Sequence, residues 1–138
     1  MSKIFDKLYV GTWLEARSRA FLKKNNISHV MITAPEIDRY YEGKYNYKVI
    51  PMLDLDHFDI SPWLEPAADW IKDALDNGRG VLIHDFKCDS RSIACLSAYL
   101  LKYENMPFSS AFKLILKKRP EARINRFFAS KLELYEEE

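Results

Sequence analysis

With 138 residues, 48% of them apolar and 14% aromatic, the chain has material for one compact core and is too short for two comfortable domains. Its formal net charge of +1 excludes the strongly basic footprint of a nucleic-acid binder and the bias of a membrane-surface protein. Two cysteines, Cys88 and Cys95, fit no disulfide framework or zinc spacing, and no apolar run suits a signal peptide or membrane span, so one soluble domain over residues 1–138 is expected, in the reducing cytoplasm or nucleus.

Lys7–Gly11 reads as a short strand ended by a glycine. Thr12 stands where it can cap a helix whose apolar residues Trp13, Leu14, Ala16, Ala20, Phe21 and Leu22 share a face, and Asn25-Asn26 stops it. Ile27–Thr33 is a β-branched, apolar strand. A polar turn follows, and its tyrosines (Tyr40, Tyr41, Tyr45 and Tyr47) suit half-buried packing or an interaction surface. Tyr47–Leu53 makes another strand, with Pro51 marking its end or a sheet edge. Asp54–Pro62 is a loop dense in acids.

Trp63–Leu75 has helical spacing of apolar residues and is stopped by Asn77-Gly78. Gly80–His84 is the central strand. From Arg91 to Tyr103 a helix is apolar nearly all round and so belongs inside the protein. Pro107 opens a helix through Leu116, Arg119-Pro120 breaks it, and Asn125–Glu136 forms the last one. Lys113, Lys117, Lys118 and Arg119 read as a solvated face. Strands alternating with helices predict an α/β fold, a mainly parallel sheet flanked by helices. Ligands in such folds sit beyond the carboxyl ends of the strands, where the loop from His84 to Arg91 lies.

That loop carries the strongest functional signal. Val81–Ser92 runs from an apolar strand through a short turn into a helix, which offers backbone N–H groups and a helix N-terminus to an anion. Arg91 puts a planar fork of donors at a helix start, where the helix dipole disfavours a cation and a bound anion would justify it. A phosphate-binding loop is the reading.

The same residues resemble the small dual-specificity phosphatases, a branch of the cysteine-dependent protein tyrosine phosphatases. His84, Arg91 and Ser92 stand in register with the signature H-C-x-x-G-x-x-R-S/T. Leu8–Gly11, Ile27–Val30, Ile50–Asp54 and Ala98–Leu101 match further family motifs at consistent distances. The resemblance implies phosphoester hydrolysis through a cysteinyl-phosphate, with no cofactor and no metal. It implies that Asp54 is the general acid, with Asp56 and Asp59 as other acids of that loop. Arg91 and the backbone of Phe86, Lys87, Cys88, Asp89 and Ser90 would hold the phosphoryl oxygens. Ser92 would help the leaving group, and His84 would orient the loop and depress the thiol pKa. His57 is a weaker acid–base candidate. Implied partners are a phosphorylated protein or peptide and phosphate- or sulfate-like anions, with no nucleic acid.

Two positions depart from the pattern. Asp85 occupies the nucleophile position, and Cys88 occupies that of the signature glycine, which puts the shape of the loop in question. Cys88 lies three residues before Arg91, whereas the chemistry needs a thiol six before it. Carboxylate nucleophiles on phosphorus commonly recruit a metal, and no metal cluster is legible. Asp89, a second loop carboxylate, is expected to be solvated. The expectation is an impaired enzyme, a phosphoprotein-binding pseudophosphatase. The alternatives are an active phosphatase whose cysteine was engineered to Asp85, and a scaffold that binds no phosphate.

Overall fold

A computed structural model describes residues 1–55 and 57–137. Five strands, β1 (Ser2–Phe5), β2 (Leu8–Gly11), β3 (Ile27–Ile32), β4 (Asn46–Val49) and β5 (Gly80–His84), form one sheet in the order β1-β2-β5-β3-β4. Only the β1–β2 pair is antiparallel. The inner strands β2 and β5 are largely apolar because both faces are covered. Along β5 the alternation of side chains sends Val81 and Ile83 to one core and Leu82 to the other. At Gly80 a Cβ would collide with the Asn26 carbonyl, so β5 can enter beside β3 only with glycine there.

Two short helices, α1 (Trp13–Arg17) and α2 (Arg19–Lys24), cover one face of the sheet. The other face carries α3 (Ser61–Asp76), α4 (Arg91–Tyr103), α5 (Phe108–Lys118) and α6 (Arg126–Glu136). Helix α4 packs against all three of its companions, and every residue from Ser92 to Leu101 is buried. Each large apolar side chain buried in this way contributes about 1.5–3 kcal/mol relative to exposure. That anchorage makes the start of α4 a firm platform for the loop feeding it.

The observed elements depart from the expected ones for local reasons. Strand β1 was not anticipated, since four residues at a sheet edge carry too little pattern. The helix expected across 13–24 breaks at Ser18, whose hydroxyl caps α2 by accepting from the Phe21 N–H at 3.2 Å. Thr12 does cap α1, in a reciprocal pair with Glu15. The strand expected to reach Leu53 ends at Val49: the Ile50 N–H still donates to Ile32 O at 2.8 Å, but Pro51 has no N–H to continue the ladder; β4 is an edge strand. Helix α3 begins at Ser61, earlier than expected, with Pro62 in its first turn.

Candidate active site

The loop 85–90 leaves the carboxyl end of β5 and enters α4. Its carbonyl groups are held from outside. Phe86 O accepts from the Trp13 N–H (3.3 Å), and Asp89 O accepts from the Arg123 N–H (2.7 Å). Between them, Lys87 O and Cys88 O accept from Nη2 (3.2 Å) and Nε (2.9 Å) of Arg119. The peptides of the loop are trans, so the N–H of each following residue, 87 through 90, is turned away from these clamps. The Cys88 N–H shows where that side faces, for it donates to Oδ1 of Asp85. The N–H groups of Lys87, Asp89 and Ser90 have no acceptor among the described residues. A row of amides with its carbonyls tied back is an anion-binding nest.

Arg119 is thus a correction to the sequence reading. It is no part of a solvated face: it is 7% exposed and also donates from Nη1 to Ser2 Oγ at 3.1 Å, joining β1 to the loop. Asp89 also departs from expectation. Its carboxylate pairs with Nε of Arg123 at 3.2 Å and is not left to solvent. Cys88 sits at φ +58°, the left-handed conformation that the signature glycine would favour. The loop therefore keeps its glycine geometry despite the side chain, at about 1–2 kcal/mol of local strain.

Asp85 is 2% exposed, and its carboxylate reaches across the loop, Oδ2 accepting from the Ser92 N–H at 3.1 Å. The Ser92 hydroxyl lies 3.2 Å from that of Thr33, which in turn donates to His84 O. Arg91 Nη1 is held by Met52 O (3.1 Å) and Glu36 Oε1 (3.3 Å). Asp54, Asp85, Phe86, Lys87, Asp89, Arg91 and Arg123 come together around one open cleft of ≈ 310 Å³. Of the other loop acids, Asp59 accepts from Ser61 N–H at 2.9 Å at the start of α3. Asp56 lies outside the described residues. His57 stands edge-on against Phe127, with ring centroids 5.5 Å apart. The tyrosine-rich turn packs on itself, Tyr47 Oη accepting from the Tyr41 N–H at 3.0 Å.

The family profile described as "Dual specificity phosphatase, catalytic domain" matches residues 8–138. The chain belongs to the dual-specificity phosphatase family. It is 35% identical over 136 residues to Dual specificity protein phosphatase 1B of Arabidopsis thaliana, a match spanning 99% of this chain and 81% of that protein. Dual specificity protein phosphatase 1 of the same plant is 30% identical over 132 residues, 96% of this chain and 67% of that one. Human DUSP28 shares the fold with a TM-score of 0.94 at 23% identity, over 99% of this chain and 96% of that one. The human tyrosine phosphatase-like serine/threonine/tyrosine-interacting protein superposes with a TM-score of 0.91 at 25% identity, over 99% and 95%.

In this member of the dual-specificity phosphatase family the charges of the loop follow from burial. Burial raises the Asp85 carboxyl pKa, and that effect outweighs the amides of Ser92 and Cys88, the Arg91 charge and the Ser92 hydroxyl, which all favour the anion. Burial lowers His84 to about 4, so its imidazole is neutral near pH 7 and acts on the loop by position, with Nδ1 3.3 Å from Asp85 O. Its Nε2 and the Ser90 hydroxyl are buried with no partner among the described residues. Burial pushes the Cys88 thiol up to about 12 and Cys95 further still. Neither is a thiolate near neutrality. No three His, Cys, Asp or Glu side chains among the described residues gather to hold a metal, and no described helix is long and apolar enough to cross a membrane.

Proposed function

We propose that this chain is a single-domain pseudophosphatase of the dual-specificity family, resident in the cytoplasm or nucleus. It binds a phosphorylated protein or peptide in the cleft over the 85–90 loop and releases it unhydrolysed. One observation carries the reading: the loop keeps its amides turned away from the clamped carbonyls and Arg91 at the cleft, while a carboxylate stands where the family's chemistry needs a thiolate. The amides and Arg91 supply binding. Asp54 is the acid on the cleft and Ser92 the hydroxyl beside the nucleophile position, both idle without a nucleophile. Loss of a nucleophile elsewhere costs several orders of magnitude in rate. A structural neighbour at 25% identity is named phosphatase-like and interacting, the same class of role. The open cleft suits phosphotyrosine, phosphoserine and phosphothreonine alike.

The test pairs binding with turnover. A phosphotyrosine peptide is expected to bind the chain and to lose affinity at least tenfold with Arg91→Ala. Equal affinity in both proteins would dispose of the cradle. Aryl phosphate hydrolysis is expected to be absent, and turnover at family rates would overturn the pseudophosphatase reading. A second reading, an active phosphatase whose cysteine was exchanged for Asp85, is favoured by the glycine-like backbone retained at Cys88. It requires Asp85→Cys to hydrolyse the same substrate, with a further loss on Asp54→Ala. An inert Asp85→Cys protein sinks it.

A further inference from the structure

The loop already holds an anion of its own. Asp85 places one carboxylate oxygen on the Cys88 N–H and the other on the Ser92 N–H, so a single side chain spans both ends of the nest. It is 2% exposed, and yet the cleft that would receive a phosphoryl group opens directly onto it. What is left for a ligand is the N–H groups of Lys87, Asp89 and Ser90, together with Arg91. An oxyanion on those donors would stand beside an ionised carboxylate that is itself shielded from solvent, where like charges repel more than they do in water.

We propose that Asp85 is a built-in competitor for the cradle: ionised, it occupies the loop's amide donors, and the cradle takes an oxyanion tightly only when Asp85 carries a proton. The inference rests on the binding reading above and adds its regulation. Each oxyanion bound is then accompanied by one proton, taken from solvent onto an Asp85 oxygen.

The neighbours of Asp85 leave it as the group that answers to pH. From β5, His84 is neutral down to about pH 4. The Cys88 thiol and, from α4, Cys95 remain protonated. Arg91 and, from the α5–α6 connection, Arg123 are ion-paired, the first with Glu36 and the second with Asp89. Lys87 also lines the cleft, as do two further carboxylates, Asp54 and the Asp89 that pairs with Arg123. Burial already raises the proton affinity of Asp85, which brings the switch closer to neutral pH than an exposed aspartate would allow.

Sulfate is the probe, because it keeps both charges throughout the range in which carboxylates titrate. Its binding to the full chain is measured calorimetrically from neutral to mildly acidic pH, in buffers of differing ionisation enthalpy. Affinity is expected to climb toward about tenfold per pH unit as pH falls, with uptake of close to one proton. Asp85→Asn is expected to bind sulfate at least tenfold more tightly near neutrality and to lose most of the pH dependence, and Asp85→Ser provides the same comparison if the amide variant does not fold. If Asp85→Asn keeps the full pH dependence, the proton belongs elsewhere and the proposal fails; Asp54→Asn then identifies the source. If the unaltered chain binds sulfate as tightly as Asp85→Asn near neutrality, with no proton uptake, the competitor is refuted while the cradle stands. Absence of sulfate binding in all variants, or binding indifferent to Arg91→Ala in the Asp85→Asn background, overturns the cradle and the proposal with it.

Discussion

Replacing Cys88 by glycine and, separately, by alanine isolates the strain held in the loop, with Cys95 as the reference. Both cysteines are fully buried, but Cys88 sits at φ +58° whereas Cys95 lies within helix α4. At Cys95, glycine loses to alanine twice: about 1 kcal/mol of helix propensity and about 0.8 kcal/mol for the buried Cβ. At Cys88 the same Cβ is lost, and glycine's extra freedom in the unfolded chain costs about 0.5–1 kcal/mol. Against these stands relief of about 1–2 kcal/mol from the left-handed backbone. The glycine and alanine variants should thus be about equally stable at 88 and about 2 kcal/mol apart at 95. For a chain of this length that is a difference of about 8 °C in melting temperature. Thermal and urea unfolding of the four variants by circular dichroism measures it. If glycine falls below alanine by as much at 88 as at 95, the loop does not hold the left-handed geometry and the glycine-like nest is wrong.

Arg119→Met strips donors from Lys87 O, Cys88 O and the Ser2 hydroxyl, and should cost about 3 kcal/mol in urea unfolding. Arg119→Lys should recover part of this, and a loss below about 1 kcal/mol for the methionine variant would show that the clamp is dispensable. His84 is held neutral to about pH 4, whereas an unfolded histidine takes up its proton near pH 6.5. The unfolded state therefore binds the extra proton first, and stability should fall by about 2 kcal/mol between about pH 7 and pH 5. Asp85 works in the opposite sense, since its raised pKa lets the folded state take a proton before the unfolded one. His84→Asn should flatten this acid limb in urea midpoints compared across that range, and an unchanged slope would mean that the imidazole is not buried neutral.

Much of the site was legible along the chain. His84, Arg91 and Ser92 are near neighbours in sequence, on one strand–loop–helix turn where a short apolar run is followed by a longer apolar helix. Asp54 follows the edge strand, and its place on the cleft agrees with its spacing. What stayed hidden depends on distant partners. Arg119 reads as one more cation at a helix end, and its burial appears only when the loop carbonyls 31 and 32 residues earlier, and Ser2 117 residues earlier, are brought to it. Glu36 and Thr33 likewise serve the site from the end of β3 and the chain beyond it, where nothing in their own surroundings marks them out.

From β2 onward, the break at Ser18 apart, the amino-acid order alone determined the succession of strands and helices, because propensity and hydrophobic period act over a few residues, and it determined that position 85 carries a carboxylate. Tertiary structure decided what that carboxylate does. It turned Asp85 inward onto the Cys88 and Ser92 amides, held Cys88 in a left-handed backbone, and tied the loop carbonyls outward to Trp13, Arg119 and Arg123. The direction of a peptide dipole is set by whatever accepts or donates at its far side, and here those groups come from the opposite ends of the chain.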